Sequence, residues 1–263
     1  MITKTDALVL KSMRYRDTSK IVTFYTRRYG KLKAIAKGAR DSKSKFGASL
    51  EPMTLSSLVL YKKEYRELQL ISQCDIVKPY KRLHSEMARM AVGLSVLELV
   101  NQLTHDEEEN LALFSLLGDT FDTLELTEGN CTNLLYAFEL RFAALFGFGL
   151  HLERCLKCKN ALTVYGTGST VIFDIAKGGL HCQDCANERG RGDVQSGSRY
   201  RVSVQSAALL NQFLHAPLEK ISSLKSPEAT GNELDKVLRL YLQYHFEDWK
   251  PLKSAKVFEK VMG

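Results

Sequence analysis

Over the first 80 residues apolar and polar positions alternate in short runs: Ala7-Leu8-Val9-Leu10, Ile21-Val22-Thr23-Phe24-Tyr25, Leu32-Lys33-Ala34-Ile35-Ala36, Leu58-Val59-Leu60-Tyr61 and Leu68-Gln69-Leu70-Ile71. The pattern predicts five strands. Gly30 and Gly38 punctuate them, and a longer connection runs from Ser42 to Pro52, which fits a small five-stranded barrel of the OB type, with an SH3-like barrel as the alternative. In the third strand a period of two sends Leu32, Ala34 and Ala36 to one face and Lys31, Lys33 and Lys37 to the other, so the barrel should be basic outside. From about Pro79 the period lengthens. Leu83, Met87, Met90, Leu94 and Leu97 predict one long helix. A second carries Leu111, Phe114, Leu117, Phe121 and Leu124, with Asp106-Glu107-Glu108-Glu109 expected as a solvated cap at its N-terminus. A third carries Leu134, Leu135, Phe138, Phe142, Leu145 and Phe146, and stops at Gly147 and Gly149. Beyond residue 200, Ala207, Leu210, Phe213 and Leu214 predict another helix, and Leu234, Val237, Leu238, Tyr241, Leu242 and His245 one more.

Between the third and fourth helices the periodicity gives way to two knuckles, Cys155-x-x-Cys158 and Cys182-x-x-Cys185. A two-residue spacer lets both thiolates of a pair point into one turn, and four together can enclose a tetrahedral Zn²⁺. Leu162-Thr163-Val164-Tyr165 and Val171-Ile172-Phe173, joined by the Gly-rich 166–169, are expected as a hairpin returning the second knuckle to the first. A full sulfur set leaves the metal no open position, so the zinc, one per chain, would be structural. Reduced thiols or two disulfides are the alternatives. His151 and His181 lie near the knuckles but are expected at the surface or in packing, and the single Cys74 and Cys131 as buried structural thiols. The fold class is therefore multidomain β + α: an N-terminal OB-fold barrel over residues 1–80 and a C-terminal helical bundle over 81–263, with an inserted Cys₄ zinc ribbon at about 150–190.

Charge separates the same regions. Residues 1–80 carry 17 Lys/Arg against 7 Asp/Glu, and residues 81–150 carry 4 against 11. A basic first part suggests a polyanion partner and an acidic second part a different one. The absence of a basic n-region, and of any apolar run approaching about 18 residues, leads to the expectation of a cytoplasmic chain with no membrane partner.

The densest chemistry is in Lys11, Arg14, Arg16, Lys20, Arg27, Arg28, Lys31, Lys33, Lys37, Arg40, Lys43 and Lys45, interleaved with Tyr15, Phe24, Tyr25, Tyr29 and Phe46. Cations for phosphates beside aromatic faces for bases are what single-stranded nucleic-acid binding requires. No His-Glu-x-x-His, P-loop, Gly-x-Ser-x-Gly or Asp-x-Asp-type carboxylate cluster is present, so no catalytic residue is assigned and the chain is not expected to be an enzyme. A zinc-dependent nuclease or deaminase would need an open metal position and a Glu base.

Several stretches resemble the RecO family of bacterial recombination mediators of the RecF pathway. In the first part these are Arg14-Tyr15-Arg16-Asp17 with Ser19-Lys20, Tyr29-Gly30-Lys31, Ala36-Lys37-Gly38-Ala39-Arg40 and Leu50-Glu51-Pro52. Further on they are Phe138-Glu139-Leu140-Arg141, Leu145-Phe146-Gly147-Phe148, the four knuckle cysteines with Gly178-Gly179, Tyr244-His245-Phe246 and Pro251-Leu252-Lys253-Ser254. The resemblance implies an OB-fold, a helical domain and a structural zinc ribbon in a nucleoid-associated DNA repair protein. It further implies binding of single- and double-stranded DNA, strand annealing, and work with RecR to load RecA onto DNA coated by single-stranded DNA-binding protein (SSB). Arg141, Arg239 and Lys253 are the candidate cations for the acidic C-terminal tail of that SSB. Lys159 departs from the family pattern, standing where the knuckle often has the Gly that eases a positive-φ turn. From the residues alone, an RNA-binding OB-fold protein in RNA processing or translation and a zinc-stabilised protein-interaction adaptor remain open.

Overall fold

The computed structural model describes residues 1–162, 169–187 and 198–254. The chain forms two compact units, Met1–Leu126 together with the segment from Leu252, and Thr127–Pro251.

In the first unit β1 (Ile2–Tyr15), β2 (Ser19–Thr26), β3 (Gly30–Ala36), β4 (Leu55–Tyr61) and β5 (Leu68–Lys78) close a barrel in the order β1-β2-β3-β5-β4. All five expected strands are present, and the barrel is of the OB type, with β3 and β5 pairing in parallel. Alternation works as expected at its centre. Ala7, Val9, Val22, Phe24, Leu32, Ala34, Ala36, Leu58 and Leu60 point inward and form the core with Phe46, Leu50, Ile71 and Cys74. A register shift between Val9 and Lys11 lets the long β1 serve both β4 and β2.

Three helices follow: α1 (Lys81–Ser85), α2 (Met87–Leu103) and α3 (Leu111–Leu126). The single helix expected from Leu83 to Leu97 is broken at Glu86, whose backbone is extended (φ −109°, ψ 118°). The Glu86 carboxylate accepts from Arg82 at 2.7 Å and Arg89 at 2.6 Å, which hold it below the usual carboxylate range and bind the two helices across the break. Met87, counted in the apolar stripe, is consequently exposed. The acidic run is not a helix cap either: Asn110 caps α3, its Oδ1 accepting from the Leu113 N–H at 2.9 Å, and residues 106–109 precede it against the barrel. The returning segment is held by Glu98 of α2, which accepts from the Lys253 and Ser254 N–H groups, both at 3.0 Å.

The second unit contains α4 (Cys131–Leu145), β6 (His151–Cys155), β7 (Thr170–Asp174), β8 (Gly179–His181), α5 (Gln183–Asn187), β9 (Arg199–Ser203), α6 (Val204–His215), α7 (Leu218–Ile221) and α8 (Glu228–His245). The three longer expected helices are α4, α6 and α8; α4 packs against α6, α7 and α8 around Phe138, Phe142, Leu210, Phe213, Leu234 and Leu238. Asn130 caps α4 by accepting from the Thr132 N–H at 2.9 Å. The sheet has the order β6-β8-β7-β9 and reaches Ser203, past the expected limit of the ribbon. Val171-Ile172-Phe173 lie in β7 as expected, whereas residues 163–168 of the expected hairpin lie outside the described residues. It is β8, antiparallel to β7 and parallel to β6, that brings the second knuckle to the first. No helix among the described residues is long and apolar enough to cross a membrane.

Candidate metal centre and nucleic-acid interface

Because β6 and β8 run in parallel side by side, Cys155 at the end of one lies beside Cys182 just past the end of the other. The four sulfurs of Cys155, Cys158, Cys182 and Cys185 lie within 4.8 Å of one another. Cys158 and Cys182 are 3.8 Å apart, the S···S separation that a tetrahedral ion gives at a Zn–S distance of about 2.3 Å and far beyond a disulfide of about 2.05 Å. All six cysteines are free thiols. The backbone N–H of Cys182 donates to the Cys155 sulfur at 3.3 Å, and that of Cys185 to the Cys182 sulfur at 3.5 Å. Burial opposes a charge on Cys155, but the N–H groups of Cys182, Cys158 and Lys157 outweigh it and bring that thiol down to about 6. Cys185 is pushed up to about 12, first by its hydrogen bond with Cys182. A bound cation would favour the thiolate form of the cysteines that ligate it. The donor set and its spacing suit a metal ion held in a closed, scaffold-building site.

The neighbours of the knuckles have structural duties. His181 is buried, with its Nε2 3.3 Å from Asp174 Oδ2, whereas His151 is exposed, and neither belongs to the sulfur cluster. Lys159 adopts φ +62°, the conformation that favours Gly at this turn. Cys74 is in the barrel core as expected, but Cys131, at the first position of α4 where the chain is only partly covered, is half-buried.

On the barrel, cross-strand register defines the outer face. Lys11, Thr23 and Lys33 form one row, and Met13, Ile21, Ile35, Leu70 and Tyr61 the next. Rows two residues apart along a strand are separated by about 7 Å. Met13 is 49% exposed and Tyr61 43%, with Ile21, Ile35 and Leu70 half-buried between them. Beyond this apolar row lie Tyr15, Ser19 and, just past β3, Lys37. The apolar row escaped the sequence reading, although Lys11, Met13 and Tyr15 alternate with Ser12 and Arg14 and could have signalled it.

The expected cations divide into two groups. Lys11, Arg14, Lys37 and Lys43 are exposed and lack an ion pair among the described residues. The rest are engaged: Lys20 with Glu51 at 2.7 Å, Arg27 with Asp6 at 3.5 Å, and Lys33 with Asp106 at 2.7 Å. Arg40 donates to the carbonyls of Arg16 and Asp17, and Lys45 to that of Ser72. Arg16 and Arg28 lie over the Tyr15 and Tyr29 rings, 5.2 and 5.7 Å from their centroids. Lys31 faces outward, as its strand position requires, yet is only 9% exposed. Its ammonium donates to the carbonyls of Asn101, at 3.1 Å, and Thr104, and lies 3.5 Å from Asp106. The aromatic half of the expected stacking surface is corrected by the fold. Phe24 and Phe46 are core, Tyr25 is buried and pushed up to about 12 by burial and then by Glu108, and the Tyr29 hydroxyl meets Thr3 at 2.7 Å. A closed barrel this small needs the rings of Phe24 and Phe46 inside, whereas Tyr25, opposite Lys31 and outside the barrel core, is covered beside Glu108. Of the expected tail-binding cations, Arg141 donates to the Phe213 carbonyl at 3.2 Å and to that of Ala216, while Arg239 and Lys253 are exposed.

A closed OB-type barrel with a cation-edged outer face, in a chain that also carries a four-cysteine cluster beside its second sheet, defines an OB-barrel protein with a ribbon that could hold a metal ion. Residues 1–80 match the family model for the recombination protein O N-terminal domain and residues 84–256 that for its C-terminal domain. The chain is 30% identical over 264 residues to a DNA repair protein RecO of Chloroherpeton thalassium, with 100% of both chains covered. It is 32% identical over 262 residues to one of Salinibacter ruber, covering 100% of this chain and 95% of that one. A DNA repair protein RecO of Pelotomaculum thermopropionicum is 33% identical over 258 residues, 98% of this chain and 93% of that protein. The chain belongs to the RecO family, whose role is in DNA repair and recombination.

Proposed function

We propose that this chain is a recombination mediator that binds single- and double-stranded DNA on the outer face of the barrel and anneals complementary strands. One observation carries the proposal: the exposed Lys11 and Lys37 flank the apolar row Met13–Ile21–Ile35–Leu70, with Arg14 and Lys43 as further exposed cations of a barrel whose family works in DNA repair. Phosphates would sit on the cations and unpaired bases would lie on the apolar row, supported by dispersion and burial in place of aromatic stacking. Two strands held by their phosphates repel less, which lets complementary bases meet without a covalent step or a nucleotide. Membership of the family supports the finer expectations, namely cooperation with RecR, capture of the acidic C-terminal tail of SSB, and loading of RecA in the bacterial cytoplasm. Zn²⁺, one per chain, is the ion the sulfur set favours; when bound, it locks the two knuckles together and supplies no reaction chemistry.

The test is fluorescence anisotropy of labelled oligo-dT and a matched RNA strand, titrated across salt, with annealing followed in parallel. Salt-sensitive DNA binding that weakens in a Lys11→Gln/Arg14→Gln/Lys37→Gln/Lys43→Gln variant supports the proposal. Tighter binding of RNA would favour an RNA-processing role, and no binding at low salt would leave an adaptor.

A further inference from the structure

The acidic run Asp106-Glu107-Glu108-Glu109 is seated on the barrel in a specific way. β3 pairs with β5 only over Lys33–Ile35, which leaves the edge of 30–32 open. The chain between α2 and α3 fills that edge. Lys31 and Asp106 form a parallel bridge, the Glu107 N–H donates to the Lys31 carbonyl at 2.7 Å, and Gly30, at φ +57°, leaves room for the Glu108 carbonyl that any Cβ would strike. From this seat the carboxylates reach cations: Asp106 accepts from Lys33 at 2.7 Å, and Glu107 from Lys62 at 2.8 Å. Lys33 is also a member of the Lys11–Thr23–Lys33 row on the outer face.

We propose that residues 106–107 are an internal polyanion, with Asp106 and Glu107 standing on Lys33 and Lys62 where phosphates of a nucleic-acid strand would stand, so that the segment restrains binding and yields these cations to a strand extending along the row. The inference rests on the proposed DNA-binding role of the barrel face. Two parts of the contact differ in strength. The anchor is buried: the Lys31 ammonium, held by the carbonyls of Asn101 and Thr104, and the tight passage at Gly30. The latch is exposed at Lys33 and Asp106, each keeping nearly half of its side-chain surface in solvent, at 47% and 48%, while Lys62 beneath Glu107 is largely covered and yields second. Exposed pairs are weak and screened by salt, so a run of phosphates can displace the carboxylates while the anchor keeps the segment in place.

The experiment uses the full chain and labelled oligo-dT, with affinity measured from low to moderate salt. Asp106→Asn/Glu107→Gln should bind roughly three- to tenfold tighter at low salt, and its log–log salt slope should steepen by about 0.7 to 1.4 as one or two further phosphates find cations. Asp106→Asn alone serves if the double variant melts early. Asp119→Asn, at an exposed acid of α3, makes the same change in net charge as Asp106→Asn and should gain less than that single variant. In a Lys33→Gln background the gain from Asp106→Asn should vanish. Wild-type binding with no gain in the double variant, a gain of Asp106→Asn equal to that of Asp119→Asn, or a gain that persists without Lys33 would overturn the inference and leave the binding face intact. If neither wild type nor double variant binds, both the inference and the proposed role fall.

Discussion

Glu139 offers a test of the helical unit that is independent of DNA. It lies buried in α4, and burial first, then the charge of Asp235, pushes its carboxyl up to about 8. A carboxyl whose folded value exceeds its unfolded value holds its proton longer in the native state, so stability is greatest below the ordinary value of 4.5 and is lost as pH rises toward 8. At about 1.4 kcal/mol per pH unit, the loss between pH 4.5 and 8 reaches about 5 kcal/mol. Gln matches the neutral form and does not titrate. Glu139→Gln should therefore equal the wild type near pH 5 and exceed it by a few kcal/mol at pH 8.5, with the gap widening across that interval. Other carboxylates, such as Glu98 and Glu86, whose values are lowered, stabilise in the opposite direction, but they cancel in the difference between the two proteins. Urea unfolding followed by Trp249, the single tryptophan and a member of the same unit, is the assay. A wild-type–variant gap that stays constant from pH 5 to 8.5 would refute the reasoning.

Other substitutions separate scaffold from interface. Cys182→Ser should reduce bound metal from about one ion per chain to near none and destabilise the Thr127–Pro251 unit; elemental analysis with thermal melting checks it, and full stability without metal counts against a structural role. Lys159→Gly relieves a positive φ that costs about 1 kcal/mol or more and should slow metal loss to a chelator. Lys31→Met strands the carbonyls of Asn101 and Thr104 beside Asp106 and should cost about 2–3 kcal/mol in denaturant unfolding. Lys11→Gln, in contrast, should change stability by less than about 0.5 kcal/mol while making the salt slope of oligo-dT binding shallower by about 0.7.

Much of the molecule follows from the order of residues alone. Period-two runs marked the five barrel strands because inward positions must be apolar in so small a core, and the i, i+3, i+4 stripes marked α4, α6 and α8 because those helices bury one face each. The sulfur site was equally legible, since paired C-x-x-C spacing is itself the coordination geometry. Other features depended on contacts between residues far apart in the chain. No local pattern distinguishes a helix running through Glu86 from one broken there, where Glu125 of α3 accepts from the Arg82 and Leu83 N–H groups and the Leu124 carbonyl from Arg89. Nor does a period of two reveal that Lys31 is covered while Lys33, two residues on, is half open, because α2 and the acidic segment arrive from 70 residues away. Aromatic residues and cations alternate in the sequence, but closure of the barrel sent Phe24 and Phe46 inward and assembled Met13, Ile21, Ile35 and Leu70, from four different strands, into one partly exposed row. Residue order decides which side of its own element each residue faces; what covers that side is decided only when distant elements meet, since burial and pairing of charge belong to the assembled surface.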